Sequence, residues 1–243
     1  MVDQTKHVSY TYVMCGRYVL SDPTLLEERF GLEEFADVRL PAVPPRFNIA
    51  PSQMIPVIVQ ETGKRALRMH RWGFRPLWMT DGKSPPPINA RAETVATNGL
   101  FKRALLRQRC IVPADGYYEW IASPDSKKKQ PYFIHAKQGE LFGFAGIYAP
   151  GNDEQPPTVT IITTEANESL THLHHRMPVI LDPDVEARWL DQSISDAADL
   201  VPMLRPAPNN RLVAIPVSTR VNTPKNDDPG LLAEESVEAP RLF

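Results

Sequence analysis

Proline is the residue that most constrains how this sequence can fold. Twenty-five prolines occur among 243 residues, and they are spread along the whole chain instead of collecting in one linker. Because proline lacks an amide hydrogen and fixes its own φ angle, it ends helices and is excluded from the middle of most sheets. The chain must therefore be built from short elements separated by frequent turns, and no internal repeat is present.

Apolar, β-branched segments supply most of these short elements. MIPVIVQ and ALRMHRWGF are separated by ETGKR, which predicts a pair of strands. Further strands are predicted, in chain order, at RCIV, YYEW, PYFIHAK, LFGFAGIYA, TVTIITT, MPVIL and LVAIPVS, and the last of these is expected to close the ordered part.

Three segments have the pattern of a helix. SDPTLLEERFGL offers Ser21 or Asp22 as an N-cap, while Pro23 suits its first turn. A second helix is predicted from Glu93 to Gln108, and a third in DPDVEARWLD. Because strands outnumber helices and do not alternate regularly with them, we expect a single α+β domain built on a curved, mainly antiparallel β-sheet with flanking short helices.

Composition narrows the class of protein. A 42% hydrophobic content suits a packed core, and the formal charge of −2 gives no overall sign of a nucleic-acid partner, although it can hide a local basic cleft. Only two cysteines are present, which favours a reducing cytoplasm over an extracellular disulfide framework. No secretion signal is visible, and no segment approaches the ~20 apolar residues of a membrane helix, so we expect no membrane association.

A methionine stands directly before a cysteine in the segment YTYVMCGRYVL. If Met14 were the true start and were removed, Cys15 would carry a free amine beside its thiol. Such a 1,2-aminothiol captures an aldehyde, because the amine forms an imine and the thiol then closes a five-membered thiazolidine. An α-amine titrates near ~7.7–8.0, so much of it is unprotonated at neutral pH. For an arbitrary Met-Cys pair, a buried structural cysteine is the simpler interpretation.

A proline-bounded loop and an apolar strand carry further candidate residues. PPINARAET presents Asn89, Arg91 and Glu93, a pattern that suits loop hydrogen bonding as well as catalysis. In VPADGYYEW, strand alternation puts Glu119 on the face opposite to Tyr118 and Trp120. A carboxylate in an apolar strand is costly to bury unless it is partnered or protonated, but charged side chains on solvent faces are common.

Three of the six histidines lie within the segment THLHHRMPVIL, at His172, His174 and His175. A histidine near its unperturbed pKa can both give and take protons at neutral pH. A zinc site is the competing interpretation, because imidazoles cluster here. Neither cysteine is near in the sequence and no second ligand motif exists, so we predict no metal site.

The ordered set of motifs in this chain closely resembles the SRAP family, first named as SOS-response-associated peptidases. The motifs are MCGRY, FNIAP, WGFRPLW, INARAET, ADGYYEW, KKQPYFI and HHRMPVIL. Members of that family crosslink themselves to abasic sites in single-stranded DNA. The resemblance extends from Met14 to about Asn226 and implies the SRAP fold.

The resemblance also implies roles for four catalytic residues. Cys15 matches the crosslinking nucleophile, and Asn89 the asparagine that holds the terminal residue in place. Glu119 matches the glutamate that orients the terminal amine and moves protons during imine formation. His174 matches the histidine that transfers a proton to the deoxyribose ring oxygen as the sugar opens. His172 and His175 carry no role by this match.

Contacts to DNA are implied at five further positions. Arg17 and Arg91 match phosphate-binding arginines, while Asn48 and Thr163 are expected as additional contacts. Trp78 resembles an aromatic wedge that stacks on a base, although an ordinary core tryptophan is an equally good interpretation of the sequence alone.

These inferences divide the chain into three parts. Residues 1–13 are expected to be an N-terminal extension that is absent from or removed in the mature protein, residues 14–226 the SRAP domain, and residues 227–243 an acidic, flexible tail. We expect a cytoplasmic, nucleoid-associated monomer whose partner is single-stranded DNA containing abasic sites. No metal or organic cofactor is implied, since the aminothiol itself does the chemistry.

Two other functions use the same residues. In a cysteine hydrolase or autopeptidase, His174 would activate the Cys15 thiol, and Asn89 or Glu119 would orient the imidazole. In a non-covalent binder of single-stranded DNA, Arg17, Arg91 and Trp78 would give salt-sensitive binding without an adduct.

Overall fold

The computed structural model describes residues 15–32, 41–79, 84–122 and 129–236. The predicted N-terminal extension, Met14 and the last seven residues of the predicted tail lie outside the described residues. The strands are β1 Tyr18–Leu20, β2 Arg46–Ile49, β3 Met54–Glu61, β4 Lys64–Trp72, β5 Asn89–Arg91, β6 Arg109–Ala114, β7 Gly116–Ala122, β8 Lys129–Ala136, β9 Phe142–Ala149, β10 Thr158–Glu165, β11 Arg176–Pro178, β12 Ile180–Leu181 and β13 Leu212–Pro216. The helices are α1 Leu26–Phe30, α2 Lys102–Arg107, α3 Pro183–Leu190 and α4 Ala197–Leu200, and 3-10 turns cover Pro23–Leu25, Val201–Met203, Thr219–Asn222 and Pro229–Leu232.

The larger of two sheets closes on itself. Strands β4, β3, β6 and β9 follow one another through antiparallel pairing, and β10 pairs with both β9 and β4. The pairing of β10 with β4 is parallel, as is its pairing with β5. Strands β11 and β12 add to β10 and β9. The predicted α+β class is confirmed. The sheet that was predicted to be curved is found to close on itself.

The second sheet has the order β13, β8, β7, β1, β2, and all of its pairings are antiparallel. Only Asp115 separates β6 of the closed sheet from β7 of this second sheet. The chain therefore passes directly from one sheet into the other. Because β-strand side chains alternate, one face of β7 contacts the main core and the other faces a smaller cluster that includes Val19, Tyr118 and Phe133.

Local sequence signals account for the first and third predicted helices. The Asp22 side chain accepts from the Thr24 amide, Pro23 occupies the first turn, and Gly31 ends α1 with φ +59°. That angle belongs to the left-handed region, which glycine adopts without the steric cost of a Cβ atom. Pro183 begins α3 in the same manner, where its missing amide hydrogen removes no helical bond.

The second predicted helix is much shorter than expected. Between Glu93 and Phe101 the chain forms successive turns, and the helix covers only Lys102–Arg107. The Asn98 side chain accepts from the amide of Leu100, a local bond that competes with helical hydrogen bonding. Gly99 adds backbone freedom at the same place. The prediction of a helix from Glu93 was therefore wrong by about two turns.

Part of the predicted acidic tail is packed against the domain. Asp227 forms an ion pair with Arg46, and its Oδ1 accepts from the amides of Phe47 and Asn48. Leu231 is fully buried in the smaller cluster. The prediction that a solvated tail begins at residue 227, and that LVAIPVS closes the ordered part, is corrected. The acidic composition of this segment did not show that Asp227 has specific partners within the domain.

Among the described residues, no helix has the length and apolar character needed to cross a membrane.

The contacts of Asp227 predict a measurable role in stability. In Asp227→Ala, the amides of Phe47 and Asn48 lose their acceptor, so we expect the free energy of unfolding to fall by about 1–3 kcal/mol. Urea unfolding at neutral pH measures the change. Asp153→Ala removes an exposed carboxylate from a turn and serves as a control, with an expected change within about 0.5 kcal/mol. Equal losses of unfolding free energy in both variants would contradict a stabilising role for the Asp227 contacts.

Candidate functional site

A cysteine and a glutamate share a buried hydrogen-bonded site where the two sheets meet. Cys15 immediately precedes the segment leading into β1, and Glu119 lies on β7, the strand that pairs with β1. The backbone nitrogen of Cys15 donates to Glu119 Oε1 at 2.9 Å, and its Sγ donates to the same oxygen at 3.1 Å. Cys15 is 3% exposed and Glu119 is 4% exposed.

Strand alternation explains how a glutamate comes to be buried here. Glu119 shares a face of β7 with Tyr117, directed into the main core, while Tyr118 and Trp120 face the smaller cluster. Tyr118 donates its hydroxyl hydrogen to the carbonyl of Phe47 at 2.8 Å. The predicted separation of faces is present, and the alternative of a solvent-facing Glu119 is wrong.

The shared burial shifts both ionisation equilibria. Burial raises the pKa of Glu119 to about 7, and the two hydrogen bonds from Cys15 oppose that rise. Burial, together with the charge of Glu119 and the hydrogen bond to it, raises the pKa of the Cys15 thiol well above its usual value. The positive charge of Arg176 lowers the pKa of this thiol, but by less than these effects raise it. Near neutral pH, Glu119 therefore exchanges protons readily while the thiol stays protonated.

His174 is half-buried in the turn before β11, and its ring is held by the backbone. The amide of Arg176 donates to His174 Nδ1 at 3.1 Å. Nδ1 also lies 3.3 Å from the carbonyl oxygen of Arg176, so the backbone of this one residue presents both a donor and an acceptor to the same ring nitrogen and leaves Nε2 free of it. Burial lowers the pKa of His174, the hydrogen bond with the Arg176 backbone opposes that change, and the nearby charges of His175, Lys129 and Arg176 add smaller decreases. At neutral pH this imidazole is therefore mainly uncharged.

Electrostatic coupling relates His174 to the Cys15 and Glu119 pair. Arg176 lowers the pKa of both Cys15 and His174, so its charge lies within range of both. The charge of Lys129 likewise lowers the pKa of both Glu119 and His174. These two cations are therefore shared neighbours of three of the catalytic residues that the sequence predicted.

The segment containing Asn89 reaches the same region through β10. Asn89, half-buried at the start of β5, lies opposite Ile161 of β10, and Arg91 lies opposite Thr163. Two residues further on, Glu93 forms an ion pair with Arg176, which begins β11 on the other side of β10. The INARAET and HHRMP motifs, 80 residues apart in the sequence, thus flank one strand.

Arg176 is a site residue that motif reasoning missed. It is 7% exposed, and its guanidinium contacts Glu93 and the carbonyl of Thr163. A fully charged side chain is rarely buried without a specific partner. The signal in the sequence was an arginine directly after two histidines, but its acidic partner lies 83 positions away and could not be identified from spacing.

Two of the predicted DNA contacts lie inside the protein. Asn48 and Thr163 are both 0% exposed. The Asn48 amide nitrogen donates to the carbonyls of Val221, Thr223 and Asn226. Thr163 accepts from Arg176 through its carbonyl oxygen at 2.7 Å. Direct DNA contact by these side chains is not compatible with their burial here, and both support neighbouring segments instead.

The other three predicted contacts differ in exposure. Arg17 is half-buried and donates to Asn48 Oδ1 and to the carbonyl of Val221, both at 2.9 Å. Arg91 is exposed at the edge of an open cleft of about 470 Å³ that also includes Thr171 and His175. Trp78 is 65% exposed, so its interpretation as a core tryptophan is wrong.

No group of three or more histidine, cysteine, aspartate or glutamate side chains is positioned to hold a metal ion within the four described ranges. His174 and His175 stack with their ring centroids 4.4 Å apart, and His172 is exposed. Stacked imidazoles hold each other's orientation but do not converge on one point, as metal ligands must.

The sequence of this chain matches one class of protein. The model of the SOS response associated peptidase (SRAP) family matches residues 14–224. The chain belongs to the SRAP family, as its motifs predicted.

Similar proteins occur in bacteria and in vertebrates. Abasic site processing protein YoqW of Bacillus subtilis (strain 168) is 41% identical over 226 residues, which cover 90% of this chain and 99% of YoqW. Abasic site processing protein HMCES of Gallus gallus is 32% identical over 234 residues, covering 81% of this chain and 68% of HMCES. A crystal structure of a protein from Bacteroides thetaiotaomicron has a TM-score of 0.77 at 27% identity, covering 91% of this chain and all of that one.

The raised pKa of Glu119 predicts a pH-dependent stability in a chain that retains residues before Cys15. The folded state binds this proton up to about pH 7, whereas the unfolded chain releases it near its ordinary value of 4.5. The stabilisation is therefore complete below the unfolded pKa and is lost as the pH rises through the folded pKa.

Over this interval, the difference in unfolding free energy between the wild type and Glu119→Gln should change by about 3 kcal/mol. Urea unfolding at a series of pH values measures it. Glu154→Gln, at an exposed turn, is the matched control and should follow the wild type. Parallel curves for the wild type and Glu119→Gln would contradict the raised pKa.

Proposed function

We propose that this protein binds single-stranded DNA and captures abasic sites covalently through Cys15 as the N-terminal residue. The observation that carries the proposal is the single carboxylate oxygen that accepts from both the nitrogen and the sulfur of Cys15. An aminothiol reaction needs both atoms directed to one carbon, with a proton acceptor beside them. The names of the relatives YoqW and HMCES as abasic site processing proteins support it.

The proposed reaction begins with opening of the sugar. In the cyclic hemiacetal, the hydroxyl on C1′ loses a proton and the ring oxygen gains one, which gives the free aldehyde. The Cys15 amine adds to the aldehyde carbon and one water leaves, forming an imine. The thiol then adds to the imine carbon, and its proton goes to the nitrogen. The products are a thiazolidine and one water.

Two side chains suit the proton transfers of this sequence. Glu119, with a pKa of about 7, accepts a proton from the amine or thiol and returns it for the loss of water. The Arg176 backbone holds His174 through Nδ1, and Nε2 is the ring nitrogen assigned to proton transfer to the sugar ring oxygen. Asn89 is proposed to hold the terminal residue, as the family motif implies.

The proposal requires that nothing precede Cys15. With an upstream residue attached, the Cys15 nitrogen is an amide and cannot form an imine. We propose that translation begins at Met14 and that this methionine is removed, so that residues 1–13 are absent from the mature protein. The described chain keeps the Cys15 nitrogen next to Glu119, where an α-amine would replace the amide without a change of partner.

The DNA-binding surface is proposed to include the exposed Arg91 and Trp78, with Arg17 contributing from its half-buried position. Arg91 would neutralise a backbone phosphate, and the exposed face of Trp78 would stack on a base. Asn48 and Thr163 act indirectly, by fixing the loop near Arg17 and the guanidinium of Arg176.

A thiol hydrolase fits the same geometry less well. A nucleophilic cysteine in a hydrolase needs a lowered thiol pKa, usually through an adjacent imidazolium. Here the partner of the thiol is a carboxylate, and the pKa of Cys15 is raised. Addition of a thiol to an imine does not require a lowered thiol pKa, because the carboxylate can take the proton as the C–S bond forms.

Intact mass spectrometry tests the proposed function directly. Protein expressed from its own gene should begin at Cys15 and should gain the mass of single-stranded DNA carrying an abasic site, less one water. Cys15→Ala should form no adduct, and His174→Gln should slow adduct formation by about 100-fold.

Cys110→Ala provides the matched control, since Cys110 is the other buried cysteine and contacts the core away from Glu119. It should form the adduct at the rate of the wild type. A chain retaining residues 1–13 with no adduct would leave hydrolysis or non-covalent DNA binding as the function of that form.

The exposure of Trp78 predicts an effect on DNA affinity without an effect on folding. In Trp78→Ala, loss of base stacking should weaken binding to single-stranded DNA by about 1–3 kcal/mol. Fluorescence anisotropy with a labelled oligonucleotide at fixed salt measures the change. Leu77→Ala, which removes a neighbouring exposed side chain that cannot stack, should change the affinity much less. Equal effects of the two substitutions would argue against a stacking role.

A further inference from the structure

An ion pair joins the INARAET loop to the segment that presents His174. The Arg176 guanidinium donates from Nη1 to Glu93 Oε1 at 2.6 Å and from Nη2 to Glu93 Oε2 at 2.9 Å. This bidentate geometry fixes orientation as well as distance. The Arg176 side chain is 7% exposed and that of Glu93 is 43% exposed, so Glu93 covers the guanidinium from the solvent side.

Arg176 also forms a hydrogen bond with strand β10. Its Nη2 donates to the carbonyl of Thr163 at 2.7 Å, while its backbone amide donates to His174 Nδ1 at 3.1 Å. Of these partners, Thr163 belongs to a central strand, but Glu93 belongs to a turn segment outside the sheet. One arginine therefore connects the Glu93 carboxylate to the imidazole ring of His174.

We propose that Glu93 is a positioning residue for His174, acting through Arg176 and touching no reacting atom. This inference rests on the proposed function. With the guanidinium clamped, the Arg176 backbone stays directed at Nδ1, and the imidazole keeps the orientation in which Nε2 serves the sugar ring oxygen. Glu93 thereby serves the opening of the sugar ring, and not the capture of the aldehyde by Cys15 and Glu119.

Loss of the Glu93 carboxylate should act on this one step. A buried guanidinium without its counter-charge is unfavourable and moves toward water, and the backbone of Arg176 moves with it. His174 Nδ1 then loses its backbone partners, and the imidazole is no longer held in one orientation. The hydrogen bonds between Cys15, which precedes β1, and Glu119 on β7 involve neither Glu93 nor Arg176 and should persist. Displacement of the Arg176 charge raises the pKa of the Cys15 thiol further, but that pKa is already well above its usual value, so the thiol stays protonated at neutral pH as before.

Single-turnover crosslinking of the mature protein with two DNA probes tests the inference. One oligonucleotide carries a natural abasic site, and the other carries at the same position a linear aldehyde that cannot close into a ring. For Glu93→Gln, the rate at saturating abasic-site DNA should fall about 10-fold or more, because a small displacement of a catalytic group has effects of this size. The DNA concentration giving half the maximal rate, and the rate with the linear aldehyde, should match the wild type. Glu93→Asp should restore part of the lost rate.

A second arginine–glutamate pair supplies the matched control. Glu61 on β3 accepts from both Arg68 Nε and Nη2, and its side chain is 39% exposed. Glu61→Gln should leave both rates unchanged. A wild-type rate for Glu93→Gln on the abasic site, or an equal loss on both probes, would overturn the positioning role. If the wild type forms no adduct with either probe, the proposed function fails, and this inference fails with it.

Discussion

Burial of the Glu119 carboxylate beside Cys15 is the constraint on which the rest of the site depends. An isolated carboxylate in an apolar interior is strongly disfavoured, so it either finds donors or holds a proton. Both solutions are combined here, since the nitrogen and sulfur of Cys15 donate to one oxygen and the pKa is still raised to about 7. Cys15 is therefore tied to a buried acid through both its nitrogen and its sulfur.

The two sheets provide the means to bury that acid. The passage from β6 to β7 through Asp115 carries the chain out of the closed sheet into the second sheet, and Glu119 follows within the same strand. Strand β7 is held on both sides, because β1 pairs with its start at Gly116 and Tyr117, and β8 pairs along its whole length, with Tyr132 opposite Glu119. Such a strand cannot rotate to move a side chain into water without losing a ladder of hydrogen bonds, so the carboxylate remains in the core.

The sequence predicted the elements that depend on local signals, and it predicted less well those that depend on distant partners. Asp22 and Pro23 begin the 3-10 turn that continues into α1, and Gly31 ends that helix. Alternation in YYEW gave the correct face for Glu119. Closure of the larger sheet, by contrast, rests on pairing of β10 with both β4 and β9, which no local pattern encodes.

The same distinction applies to the candidate site. Motif resemblance selected Asn48 and Thr163 as polar residues, but polarity cannot separate a side chain that meets a ligand from one that satisfies buried carbonyls or a guanidinium. Arg176 was missed for the converse reason, because its importance lies in a partner far along the chain. For Trp78 the sequence left two interpretations open, and only its exposure on the folded surface distinguished them.

The raised pKa of Glu119 also bears on the state of the N-terminus. With an amide at Cys15, burial raises the pKa of Glu119 by more than the nearby charge of Lys129 lowers it, and the carboxyl proton is kept up to about pH 7. A free α-amine at the same nitrogen would be partly protonated near neutral pH, and its charge would favour the ionised carboxylate 2.9 Å away. Removal of the upstream residues would then do more than expose a nucleophile. It would convert a neutral acid into a base beside the ammonium group, and transfer of the ammonium proton to this carboxylate would free the nitrogen lone pair for attack on the aldehyde. The two changes would occur together because they share one hydrogen bond.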